Sequence, residues 1–253
     1  MFFAEESKCG RIVFYFMEDT TVRLNKYLAN LGIASRREIA TLLKQQSVTV
    51  NGKRVKESGF RIDPQKDDIR LNGGKIEQPE LIYYLLNKPK GIVSTTADEY
   101  GRKNVTSLIP TKERIYPVGR LDKDTTGLLI LTNDGELTNH LTHPRFHVDK
   151  VYRLTIAGQV TNTQLHALRS GVLLEDGITA PAEVVVLSKN ELEMKIHEGR
   201  NRQIRRMCET VGINLLELQR IKFGQLTLKN LPMGKCRVLT KEEIVALKNR
   251  NKK

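Results

Sequence analysis

The chain has 253 residues, enough for two domains, with 39% hydrophobic and 28% charged residues, a balance that excludes a wholly disordered polymer. Lys plus Arg number 42 against 29 Asp plus Glu, a formal net charge of +13, which favours a polyanion such as nucleic acid as partner. No run approaches the roughly 18 apolar residues of a membrane-spanning helix, and the apolar stretch at 12–17 is too short, and too acidic upstream, for a signal peptide. A cytoplasmic location is therefore expected. Cys9, Cys208 and Cys236 lie far apart with no C-x-x-C, so neither a disulfide framework nor a thiolate metal site is expected.

Residues 1–16 show no helical or strand period and are read as an extra segment, with Met17 as an alternative start. From Arg23 the pattern is helical through Leu24, Leu28 and Leu31, and Gly32 ends it. Ser35 and Glu38 have the S-x-x-E spacing of a capping box, and Ile39, Leu42 and Leu43 follow at helical spacing, so a second helix starts there. Asn51-Gly52 between residues 48–50 and 53–55 is a tight-hairpin signal. The first module is thus helix, helix, hairpin. Arg36 and Arg37 stand in the first turn of the capped helix, where the macrodipole disfavours each by about 0.3–1 kcal/mol. With Arg23, Lys26, Lys44, Lys53 and Arg54 close by in sequence, they make either a phosphate-binding face or a solvated basic surface.

Residues 72–80, with Gly73, Gly74 and Pro79, read as a connecting segment. The boundaries drawn are 17–75, a 76–80 linker, a larger domain at 81–247 and a basic tail at 248–253. In the larger domain, residues 82–86 and 128–131 are short apolar runs suited to buried strands. Tyr152, Leu154 and Ile156 alternate with polar residues, as do Leu192, Met194 and Ile196. Helical stretches at 163–168 and 203–211 interrupt these strands irregularly, which points to an α+β domain rather than a βαβ repeat.

Two clusters carry chemistry. GRLDKDTTGLLILT, residues 119–132, is a charged loop feeding into a buried strand, and Asp122 is its better candidate for catalysis. Asp124 is expected to cap the backbone of Thr125 and Thr126, although two acids so spaced also suggest a glycosidase pair. In HEGRNRQIRRM, residues 197–207, Ile204, Met207, Cys208 and Val211 form one helix stripe. Arg205 sits at the edge of that stripe, placed for a semi-buried ion pair, while Arg202 and Arg206 face solvent or phosphate. His140, His143 and His147 do not make a zinc set, because Pro144 breaks their alignment and no acidic or thiolate ligand completes it. Lys88-Pro89-Lys90-Gly91 lacks the spacing of a phosphate loop.

RLNKYLANLGIASRREI and VTVNGKRV, within residues 23–71, resemble the S4 RNA-binding domain. That likeness implies that Arg36 and Arg37 touch RNA. GRLDKDTTGLLILTNDG, KVYRL and EGRNRQIRRM resemble the RsuA-type rRNA pseudouridine synthases, in the expected order over residues 23–247. This resemblance implies a small S4 domain followed by a mixed, mainly antiparallel-sheet catalytic domain that converts a ribosomal RNA uridine to pseudouridine without metal or organic cofactor. It implies that Asp122 is the catalytic aspartate, acting at the ribose as nucleophile or base. Tyr152 matches the tyrosine that stacks on the target base, Arg205 the basic partner of the aspartate, and Arg120 the residue that helps displace the target nucleotide, with Arg202 and Arg206 contacting substrate. Large-subunit rRNA or a pre-ribosomal particle is the expected partner, and HPRFHVDKVY and HEGRNRQIRRM are the stretches most like that branch. A monomer is expected. A non-catalytic assembly factor is the alternative, but it needs only Arg36, Arg37 and the tail, and has no use for Asp122, Tyr152 and Arg205 together.

Overall fold

A computed structural model describes residues 3–6, 12–15, 21–45, 48–76, 79–96 and 101–249, in two compact units of residues 1–80 and 81–253. Met17 and the tail beyond Asn249 lie outside the described residues.

The first unit opens with β1 (Phe3–Glu6) and β2 (Ile12–Tyr15), paired antiparallel with Phe3 opposite Tyr15. This corrects the reading of residues 1–16 as patternless. Four-residue strands are too short to display a period, but Ile12, Val13, Phe14 and Tyr15 are all strong strand formers. Next come β3 (Val22–Arg23), α1 (Leu24–Asn30) and α2 (Arg36–Gln45). The α2 start is a reciprocal capping box: Glu38 N–H donates to Ser35 Oγ (3.2 Å) and Ser35 N–H to Glu38 Oε2 (2.7 Å).

Five short strands complete this unit: β4 (Val48–Val50), β5 (Lys53–Arg54), β6 (Arg61–Ile62), β7 (Ile69–Leu71) and β8 (Gly74–Lys75). They form a sheet in the order β5-β4-β7-β8 and a separate β3–β6 pair. Asn51 (φ 50°) and Gly52 (φ 75°) make the expected turn, since both central positions of a type I′ hairpin need positive φ. Asn72 (φ 51°) and Gly73 (φ 82°) repeat it between β7 and β8, so the start of the expected connecting segment is a hairpin. The same Asn-Gly signal stood there, flanked by strands too short to read. Leu24, Leu28, Ile39, Leu43, Val48 and Ile62 form the buried core.

The second unit runs β9 (Tyr83–Lys88), β10 (Tyr116–Pro117), β11 (Thr126–Thr132), α3 (Gly135–Thr142), β12 (Lys150–Ile156) and α4 (Asn162–Ser170). After these come β13 (Leu173–Leu174), β14 (Gly177–Ile178), β15 (Glu183–Ser188), β16 (Glu191–Ile196) and α5 (Gln203–Thr210). It ends with β17 (Leu215–Phe223), β18 (Leu226–Thr227), β19 (Cys236–Val238) and α6 (Lys241–Lys248). The main sheet has the order β15-β16-β12-β17-β11-β9-β19, with β10 beside β11 and β18 beside β17. It is antiparallel throughout except where β11 meets β17. The architecture is α+β.

Helices cover both faces, which explains the apolar run in β11. Leu129 and Leu131 join the cluster that contains Leu165 and Leu168 of α4 and Ile204 and Met207 of α5. Leu128 and Ile130 join the cluster of Leu137 and Leu141 of α3 and Leu247 of α6. A strand buried on both sides loses the polar alternation of a half-exposed one.

Candidate active site

The loop before β11 is held from below by a buried cation. Lys88, the last residue of β9, is fully buried, and its Nζ donates to the carbonyls of Asp122 (3.0 Å), Thr125 (2.8 Å), Pro89 (3.1 Å) and Lys123 (3.3 Å). Burial pushes this ammonium down to about 8, against the opposing pull of Asp122 and Asp124. Ser94 fixes the next residue back, its hydroxyl donating to Leu121 O (2.8 Å) and accepting from Leu121 N–H (3.2 Å). The turn closes through backbone, Thr125 N–H to Asp122 O (3.1 Å), rather than through the Asp124 side-chain cap expected from the sequence. The oxygen that Asp124 contributes is its carbonyl, which accepts from Arg205 Nη2 (3.1 Å).

Asp122 points its carboxylate toward two arginines from the start of α5. Arg205 Nε and Arg202 Nη1 each lie 4.0 Å from Asp122 Oδ2. The Arg205 side chain is 16% exposed, that of Asp122 31%, so the ion pair is semi-buried. Arg205 Nη2 also reaches Thr125 Oγ1 (3.3 Å), whereas its Nε is buried without a hydrogen-bond partner. Arg202 precedes the helix in a left-handed conformation (φ 48°, ψ 31°), so it does not occupy the outer helix face that the 100° periodicity assigned it. The turn brings it to the carboxylate instead.

Arg206 departs further from expectation. Its Nη1 and Nη2 bond both oxygens of Asp176 (2.9 and 3.0 Å), and its Nε donates to Asn201 O (2.9 Å). Asp176 holds its carboxyl below the usual range by this bidentate contact. Three of the five N–H donors of Arg206 are thus committed to the protein, and its charge is paired with Asp176. Arg200 joins the clamp through the carbonyls of Gly177 (2.8 Å) and Ile178 (2.6 Å). Asp176 lies thirty residues away in sequence, beyond the reach of any helical-wheel argument.

Asp122, Arg120, Tyr152, Arg202, Lys150 and Arg220 are among the residues lining one pocket of about 190 Å³. Tyr152, on β12, is buried, whereas Arg120 is exposed. Lys88, Lys150 and Arg220 were missed from the sequence. The one signal was a basic residue at each end of a buried strand or among inward positions, which a census of charges does not distinguish from a surface lysine or arginine. The histidines serve locally: His143 Nδ1 accepts from Arg145 N–H (3.3 Å), His140 packs edge-on to Phe146 (4.5 Å), and His147 to His197 (5.2 Å). In the first unit Arg23, Arg36, Arg37, Lys44, Lys53 and Arg54 are exposed and Lys26 is half-buried.

Comparisons with known proteins place the chain in a family. Residues 82–210 match the model for RNA pseudouridylate synthase, and residues 22–69 match the S4 domain. Ribosomal large subunit pseudouridine synthase B of Bacillus subtilis (strain 168) is 44% identical over 233 residues, covering 89% of this chain and 95% of that protein. Dual-specificity RNA pseudouridine synthase RluF of Escherichia coli (strain K12) is 37% identical over 234 residues, covering 91% and 80%. A solved structure described as a pseudouridylate synthase superposes with a TM-score of 0.67 at 32% identity, covering 89% of this chain and 99% of that one. Since the matched span carries the Asp122 loop, the Tyr152 strand and the Arg205 helix together, the chain belongs to the RNA pseudouridylate synthase family.

Proposed function

We propose that this enzyme isomerises a specific uridine of large-subunit ribosomal RNA to pseudouridine, with Asp122, Tyr152 and Arg205 as its catalytic centre. The large-subunit substrate rests on the relatives named for it and on the S4 domain. The observation that carries the site is a carboxylate 4.0 Å from two guanidinium groups, in a pocket that Tyr152 also lines.

The reaction breaks the C1′–N1 bond, turns the base while it is held, and joins C5 to the same sugar carbon. Asp122 acts at the ribose, as nucleophile or as base, on a loop that Lys88 makes rigid. The buried Arg205 Nε, 4.0 Å away and unpartnered, is placed to tighten onto the carboxylate when substrate fills the pocket, as catalytic hydrogen bonds commonly do. Tyr152 supplies the ring against which the uracil stacks. Exposed Arg120 takes the place vacated in the RNA stack when the nucleotide is flipped out. The basic face of the S4 domain, from Arg36 and Arg37 in particular, provides affinity and placement.

Asp122→Asn keeps size and shape but removes the charge. RNA binding and the melting curve should stay at parental values, while tritium release from C5 of labelled uridine falls by at least about 1,000-fold, near the size of a lost nucleophile or base. Turnover within tenfold of the parent, in a folded and RNA-binding variant, would show that another group does this work.

A further inference from the structure

The same pocket holds a second charge that the chemistry above leaves unused. Arg220 is 2% exposed and makes one hydrogen bond, Nε to Leu128 O (2.8 Å), while its Nη2 is buried with no partner. Among the described residues no carboxylate pairs with it, because Asp122 is taken by Arg202 and Arg205. The Phe223 ring lies beneath the guanidinium, 4.7 Å from centroid to Cζ. A guanidinium removed from water with neither counter-ion nor full hydrogen bonding is costly, and a fold keeps it where something else completes it.

Lys150 is its neighbour in charge. Across the β12–β17 ladder Lys150 stands opposite Phe223 and Tyr152 opposite Arg220. The ammonium lies 5.8 Å from the same Phe223 ring and bonds Val148 O (3.2 Å), with longer contacts to the carbonyls of His197 and Glu198 (3.5 Å each). Burial first, and the Arg220 charge second, push it down to about 8, against Asp149 and Glu198, so it remains cationic at neutral pH. Lys150 and Arg220 line the pocket together with Tyr152 and Asp122. One pocket therefore contains a carboxylate already supplied with arginines and a separate pair of cations, neither of which makes an ion pair among the described residues.

We propose that Arg220 and Lys150 bind the carbonyl oxygens of the target uracil and stabilise the base as an anion while it is detached from the sugar. The proposal rests on the isomerisation reading above. When C1′–N1 breaks, its electron pair passes to the base and spreads over O2 and O4. The pair returns as C5 bonds to C1′, the C5 proton departs and N1 gains one, so the balance needs no further reactant. Charge developing on the base is what a preorganised cation pair stabilises selectively. A backbone phosphate of the target nucleotide offers the same oxyanion chemistry, and the two sources separate by experiment: a base anion exists only during reaction, whereas a phosphate is present on binding.

Single-turnover rates at saturating enzyme, RNA affinities and their salt slopes decide it for Lys150→Met, Lys150→Arg and Arg220→Lys, each compared with the parent protein on one folded rRNA fragment. Lys150→Met should slow the single-turnover step about 100-fold, the scale of one lost charge-stabilising donor, with affinity and salt slope unchanged. Lys150→Arg should recover most of that rate. Arg220→Lys should lose about tenfold, because it keeps the charge but not the Nη2 donors. Free 5-nitrouracil, acidic enough to be anionic near neutrality, should inhibit the parent more strongly than uracil does, and Lys150→Met should abolish that preference. Weakened affinity and a flatter salt slope with an unchanged rate would assign the pair to phosphate and overturn the proposal. Parental rates in all variants would overturn it too. Should Arg220→Lys not fold, the half-buried Lys150 and its two variants decide alone. A parent that made no pseudouridine would instead sink the isomerisation reading.

Discussion

Lys88 shows how a single buried residue ties stability to the Asp122 loop. Its ammonium supplies hydrogen bonds to four carbonyl groups, three of them between Asp122 and Thr125, and only those of Asp122 and Lys123 also accept a loop backbone N–H, from Thr125 and Gly91. Lys88→Met should therefore lose about 3 kcal/mol at pH 7.5, since orphaned buried acceptors cost about 1–3 kcal/mol each and partial relaxation recovers some of it. The pH response has a definite sign. A lysine at about 8 in the fold and near its ordinary value in the unfolded chain leaves the unfolded state with more bound protons between those limits. Its contribution to stability is flat below pH 8 and rises with pH through that window. On going from pH 7.5 to 9.5, urea unfolding should show the parent gaining about 1–2 kcal/mol relative to Lys88→Met, on the scale of 1.36 kcal/mol per pKa unit. Equal pH responses would mean that Lys88 titrates as it does in water.

At the scale of elements, the parallel contact between β11 and β17 decides where the Asp122 loop ends. Gly127 has φ +104° and faces the backbone of Arg220 so closely that a Cβ there would overlap the Arg220 carbonyl oxygen and approach its nitrogen to 2.8 Å. Both neighbours are backbone atoms, which cannot swing aside. Gly127→Ala should cost about 3 kcal/mol or more, from left-handed strain and overpacking together. It should also slow catalysis by moving the Asp122 loop and Arg220 at once. A urea midpoint within experimental error of the parent would show that the two strands separate more easily than this geometry allows. Arg206 teaches a related lesson. Its position on α5 suggested an outward arginine, but the β13–β14 hairpin brings Asp176 against it, and the bidentate pair ties α5 to that hairpin.

For the whole molecule, division of labour between the two units has a measurable form. Arg36 and Arg37 occupy the exposed first turn of α2, and Lys44 lies two helical turns on from Arg37, on the same face. Replacing Arg36 and Arg37 by Glu should weaken RNA binding and lower the slope of log affinity against log salt by about two released counterions or more. The single-turnover rate at saturating enzyme should stay within about threefold of the parent, because no group in the pocket of the second unit is touched. Coinciding salt slopes for variant and parent would remove the S4 face from the account of binding.

What the sequence alone determined is everything governed by local chemistry. The capping box at Ser35 and Glu38, the Asn51-Gly52 turn, the α5 stripe of Ile204, Met207 and Cys208, and the doubly buried strand around Leu128 to Leu131 all follow from short-range rules. The roles proposed for Asp122 and Tyr152 come from motifs that resemble a family, whereas the semi-buried ion pair of Arg205 also followed from its place at the edge of the α5 stripe. Tertiary structure decided the partners. Nothing near Arg206 in sequence names Asp176, nothing near Lys88 names the carbonyls of Asp122 and Thr125, and nothing near Arg220 shows that its guanidinium will be buried without an acid. A side chain's charge is written in the sequence. Whether that charge meets water, a carboxylate or an incoming base depends on which distant strands pack around it.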